Sequence, residues 1–156
     1  MIDQPETHDT DISPEIAEHW DTWSRAIGTA ALPRLRRLRE NNPEITSAIL
    51  CTADGMNLCA VGIPEENVGR LAALNSSLFA IAASEAEIVS EAGASPSSTT
   101  VHLSTGNGFI VLASFVLEDL GQMLLALSAE ETQLGMLAVQ ARGAADDIRQ
   151  WLSPSE

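Results

Sequence analysis

Two runs in the second half of the chain, Phe109–Val116 (FIVLASFV) and Gln122–Ser128 (QMLLALS), are apolar at both odd and even positions. Successive strand residues point to opposite sides of a sheet, so a strand apolar on both sides needs cover on both. Both runs therefore predict interior strands of a sheet with packed layers above and below. The run before them, Thr99–Thr105, alternates instead. Val101 and Leu103 share one side, while Thr100, His102 and Ser104 share the other. That is the pattern of a half-exposed edge strand. Gly106-Asn107 supplies the turn into Phe109.

Two further short runs, Ile45–Thr52 and Met56–Ile63, are joined by Ala53-Asp54-Gly55. An Asp-Gly pair between apolar runs is a strong hairpin signal, because the turn needs positive φ at its centre. Helices frame the strands. Ser13-Pro14-Glu15 combines an N-cap, a proline suited to the first helical turn and an acid at the positive end. Ile16, Trp20, Trp23 and Ile27 then recur as one stripe. Pro33 predicts a kink or restart, followed by a short segment that turns Leu35 and Leu38 inward and ends at Asn41-Asn42-Pro43. Pro64-Glu65-Glu66 opens a long helix closing near Gly93 and Pro96. Glu130-Glu131 opens the last helix, with Leu134, Leu137, Ala141, Ala144, Ile148 and Trp151 on one side. The order α-β-β-α-β-β-β-α predicts an α+β domain on a five-stranded antiparallel sheet. Residues 1–12, acidic and aperiodic, read as a disordered lead, residues 13–42 as an N-terminal helical extension and first helix, and 44–152 as the domain proper.

Charge narrows the function. Among 156 residues, Asp and Glu number 22 against 8 basic residues, all arginine, for a formal charge of −14. Nucleic acids and anionic bilayers attract surplus positive charge, so neither is expected as a partner. No apolar run approaches the about 20 residues of a membrane span, and the N-terminus has no basic, apolar leader. A cytoplasmic protein is expected. Catalytic groups are sparse: His8, His19 and His102 read as surface residues, and no HxxxH, CxxC or phosphate-loop pattern occurs. Neither an enzymatic activity nor a metal nor a cofactor is expected. Cys51 and Cys59 flank the first hairpin and read as small buried hydrophobes, with their cross-strand register left open.

The features left for partner binding are three. On the long helix, Leu71, Leu74, Leu78, Ile81 and Ile88 read as the core stripe, while Ala73, Ser76, Ser77, Ala80, Ala83 and Ser84 form a side of small residues. Nothing from Leu71 to Ser84 is charged. Small residues three and four apart let helix backbones approach closely, so that side is expected to pack on another helix or another copy. Half of the arginines, Arg34, Arg36, Arg37 and Arg39, cluster on the first helix, and Trp20 and Trp23 precede them as candidate anchors.

The whole pattern resembles the roadblock/LC7 family: ITSAILCTADGMNLCAVGI, RLAALNSSLFAIAASEAEIV, VHLSTGNGFIVLASF and LLALSAEETQLGMLAVQARGAADDI, over about residues 44–152. Asn57 and Cys59 depart from the small or apolar residues more usual in the second strand, and the extension bearing the tryptophans lies outside the pattern. The resemblance implies a profilin-like sandwich with helices on both faces of the sheet. It further implies a homodimer formed through the third strand (Val101, Leu103) and the middle helix, and binding or regulation of Ras-like small GTPases. The alternative is a structural adaptor subunit that leaves nucleotide chemistry untouched.

Overall fold

The computed structural model describes residues 13–91 and 99–153. The expected disordered lead, Gly93 and Pro96 lie outside the described residues. Among the described residues nine elements follow in order: α1 (Pro14–Glu18), α2 (Trp20–Asn41), β1 (Ile45–Thr52), β2 (Asn57–Val61), α3 (Glu65–Val89), β3 (Thr100–Ser104), β4 (Gly108–Leu117), β5 (Gly121–Glu130) and α4 (Leu134–Leu152). The strands form one antiparallel sheet in the order β2-β1-β5-β4-β3.

The two runs apolar on both sides occupy the interior of the sheet, as their patterning predicts: β5 lies between β1 and β4, and β4 between β5 and β3. On one side Val111, Ala113, Phe115, Met123, Leu125 and Leu127 pack with α2 and α4 through Ala31, Leu35, Leu137, Ala141 and Ile148. On the other, Ile49, Cys51, Leu112, Leu124 and Ala126 pack with Ala72 and Phe79 of α3. One long helix thus covers a face of five strands, while two cover the opposite face.

The Asp-Gly hairpin forms between β1 and β2, with Gly55 at φ +95. Thr52 closes it, donating from its hydroxyl to the Asp54 carboxylate and accepting from the Met56 backbone N–H at 3.0 Å. Gly28 sets the approach of α2 to β2, because a Cβ there would stand 2.2 Å from the Leu58 carbonyl oxygen. No side chain fits.

Three boundaries differ from expectation. Helix α2 passes through Pro33 without a break. The carbonyl that the missing N–H would have bonded belongs to Thr29, and both residues are exposed, so the lost bond falls outside the packed core. The interruption falls instead at His19, where α1 is tied to the β4–β5 turn by the Ser13 N–H donating to the Asp119 carbonyl at 3.0 Å. At the far end, Glu130 and Glu131 do not open α4. Glu130 pairs with Gly108 and donates its N–H to the Glu44 carbonyl at 3.1 Å, and Glu131 takes φ +55 in the turn. Ladder hydrogen bonds outweighed the helix-start preference of two acids.

Candidate functional site

The inward side of α3 is set by what it must approach. Ala72, Ser76, Phe79 and Ala83 succeed one another at spacings of four, three and four, so they share a helix face. Phe79 and Ala72 are buried against the sheet, and Ala83 packs beside them. Ser76 donates its hydroxyl to the Ala53 carbonyl at 2.5 Å. A Cβ on Gly55 would lie 3.5 Å from Ala73 Cα and 3.5 Å from Ser76 Cβ. The small residues at 73 and 76 therefore seat the β1–β2 turn of the same chain.

This corrects the assignment of the long stripe at Leu74, Ile81 and Ile88, while Leu71 and Leu78 pack against the core as expected. Leu74, Ile81 and Ile88, expected in the core, are 52%, 58% and 83% exposed, and Leu71 and Leu78 are only half-buried. The physical reason is steric. The hairpin turn presses closely on α3 at Ala73 and Ser76, where larger side chains would clash, so the small residues beside Phe79 take the inward side there. Of the small-residue set, Ala73, Ser77, Ala80 and Ser84 are exposed, while Ser76 and Ala83 are half-buried in contacts within the chain. Phe79, the largest side chain of the helix, was the sequence signal for the inward side.

Among the described residues β3 is an edge strand, paired with β4 alone through Thr100↔Ala113 to Ser104↔Phe109. Val101 and Leu103 are half-buried; Thr100, His102 and Ser104 are exposed. Between α3 and the sheet lies a cavity of about 420 Å³, lined by Ile49, Leu71, Leu78, Leu103 and Ile110 together with Asn75. Leu74 and Ile81 also line it. One continuous apolar surface thus runs from the outside of α3 across the cavity to the β3 edge.

The other sequence candidates lie on α2, which packs with α4 on the opposite face of the sheet. Arg34 donates to the Asp147 carboxylate at 2.8 Å and stands 4.4 Å over the ring of Trp151, so it clasps α2 to α4. Arg36, Arg37 and Arg39 are exposed. Arg36 and Arg39 border a cleft of about 720 Å³ beside β2. Trp20 packs on the core and Trp23 is 44% exposed. Trp151, expected inside, is 42% exposed beneath Arg34.

Cys51 and Cys59 lie in different cores, on opposite sides of the sheet. Burial, with the Asp54 charge adding at Cys51, pushes both thiols up to about 12. Such thiols are protonated at neutral pH and poor nucleophiles. Among the described residues, no group of three or more His, Cys, Asp or Glu could hold a metal ion, and no helix is long and apolar enough to cross a membrane.

An α+β domain with this strand order, α3 alone on one face and β3 at the edge, has the roadblock/LC7-like fold. No protein-family model and no characterised protein matches the sequence. Solved structures do match. A roadblock/LC7 domain from Streptomyces avermitilis superposes with a TM-score of 0.63 at 20% identity, covering 76% of this chain and 94% of that one. MglB from Myxococcus xanthus superposes with 0.63 at 14% identity over 80% and 88%. An MglB structure with a tetrameric arrangement gives 0.62 at 19% identity over 80% and 89%. At these identities the likeness is one of fold.

Proposed function

We propose that this chain is a non-enzymatic, homodimeric regulator or scaffold for a small Ras-like GTPase, working by protein–protein contact. The observation that carries the reading is the outward row Leu74, Ile81 and Ile88, continuous with the free edge of β3. Exposed apolar rows and unpaired strand edges are liabilities in a lone domain, and an isologous contact of two copies removes both at once. The fold shared with MglB, for which a tetrameric arrangement is known, supports self-association. The GTPase assignment rests on the sequence resemblance to roadblock/LC7 proteins.

In this reading the partner contacts the paired α3 helices, a surface that exists only after assembly. Exposed Arg36, Arg37 and Arg39 add salt-sensitive attraction for acidic patches. Pull-downs against the Ras-like GTPases of the same cell, in both nucleotide states, test the reading. Ala80→Arg is expected to abolish both self-association and GTPase capture. Changing Arg34, Arg36, Arg37 and Arg39 together to Ala is expected to weaken capture only at low salt. Loss of the partner with the quadruple variant and retention with Ala80→Arg would move the binding surface to α2. Capture of no GTPase by the parent protein would favour the structural adaptor.

A further inference from the structure

The cleft beside the end of β2 holds two arginines that the acids of the chain leave unmatched. Arg36, Arg39 and Glu40 of α2 line it together with Ile45, Ala60 and Val61 of the first hairpin, around a volume of about 720 Å³. Among the described residues neither Arg36 nor Arg39 has a carboxylate within ion-pair distance, although the chain carries 22 acids against 8 basic residues. Glu40 follows Arg36 by one turn, the less favourable order for a helix pair, and forms no ion pair with it. Like charges one helix turn apart repel, so the two arginines oppose each other where they stand. The helix dipole favours a cation at Arg39, in the last turn of α2, but gives no reason for Arg36. Arg39 is also held in place. Gly62 has φ +74, and a Cβ there would lie 3.1 Å from the Arg39 guanidinium carbon, so glycine lets that group lie against the end of β2. β2 is itself an outermost strand of the sheet. Helix α2 closes on it at Leu58, across from Gly28, and stands off it at Ala60 and Val61, where the cleft opens.

We propose that this cleft seats an extended acidic segment of a partner protein, with carboxylates at alternate positions, laid along Ala60 to Gly62. Alternate residues of a strand project to one side about 6.8 Å apart, and side chains one helix turn apart start about 5–6 Å apart. Each arginine therefore takes one carboxylate through its two-pronged fork. Strand addition at a sheet edge supplies the backbone contacts, and Ile45 and Val61 give an apolar floor for the residues between the acids. Charge sets the length of the segment. At −14 the chain repels polyanions as a whole, which disfavours nucleic acid and long acidic tracts, whereas two paired carboxylates bring little repulsion. The outward side of α3 lies on the opposite face of the sheet from α2, so the cleft is separate from the paired helices and does not rest on the GTPase reading.

Fluorescence anisotropy on the full chain tests this with two labelled eight-residue peptides of one composition, glutamate and valine either alternating or arranged in pairs. The alternating peptide is expected to bind about tenfold tighter, because only its acids share a side of the strand, and to shift the amide resonances of Ala60 and Gly62. Changing Arg36 and Arg39 together to Gln is expected to abolish binding. Changing both to Lys, which keeps the charge and removes the fork, is expected to weaken it about fivefold. Arg25→Ala, an equal loss of charge at an exposed position of α2 outside the cleft, is expected to leave it within about twofold. Failure of the alternating peptide to bind, equal binding of the two peptides, or unmoved Ala60 and Gly62 amides would overturn the assignment. Displacement by succinate at the concentration of the peptide would overturn it too, because the cleft would then be a site for small anions.

Discussion

Replacing Ile81 by Asp separates a surface for self-association from ordinary solvent-exposed helix. Ile81 is 58% exposed on the outward side of α3. Complete burial of an isoleucine side chain stabilises by about 1.5–3 kcal/mol, so covering the exposed part adds about 1 kcal/mol per copy. A two-fold contact uses the residue twice, for about 2 kcal/mol, or about 30-fold in the dissociation constant. The aspartate also brings a carboxylate into each half of the contact, at several kcal/mol per uncompensated charge. Together these exceed a thousandfold loss of affinity. The folded monomer should be unaffected, because the side chain already meets water. Sedimentation velocity over a micromolar concentration series, with circular dichroism as the check on folding, reads both effects. The parent should sediment above its 16.6 kDa monomer and Ile81→Asp at it. A parent that stays at 16.6 kDa throughout, or a variant that associates as the parent does, would refute the reasoning.

Two further predictions concern the fold itself. Gly28→Ala places a methyl group 2.2 Å from the Leu58 carbonyl oxygen, backbone that cannot swing away. A loss of about 2–3 kcal/mol in urea unfolding is expected, and one under 0.5 kcal/mol would mean that α2 is free to shift off β2. Cys51 and Cys59 are held near 12 by burial, well above their unfolded value of 9.0, so their neutral forms favour the fold. Stability from this source is complete below pH 9 and drains away as pH rises toward 12. Alkaline melts of a Cys51→Ala, Cys59→Ala variant should show a shallower decline above pH 9 than the parent, and an identical slope would place the thiols outside the linkage.

The strands were legible in the residues because their signals are local. FIVLASFV and QMLLALS show no polar side, and only an interior strand between two cores meets that demand; β4 and β5 occupy such places. Asp54-Gly55 specified its turn through backbone conformation, and the alternation at Val101 and Leu103 marked the edge. The helix boundaries at 19, 33 and 131 were less legible, since a tie to Asp119, a proline on the exposed side of its helix and a strand ladder each overrode a local preference.

The rotation of α3 lay beyond any local reading. Its residues from Leu71 to Ser84 include no charge, so leucine-rich and alanine-rich sides were both plausible inward faces. Transfer free energy favours burying leucines, and that preference decides a helix whose neighbours stand at ordinary distance. Here the Asp54-Gly55 turn comes too close to α3 for larger residues at that end of the row, with Gly55 against Ala73 and Ser76. Close packing then selects Ala72, Ser76, Phe79 and Ala83 for the inside and turns Leu74, Ile81 and Ile88 to solvent. Composition and periodicity carry the apolar content of a helix, but the distance to its neighbours is set only once the sheet and the hairpin have assembled around it.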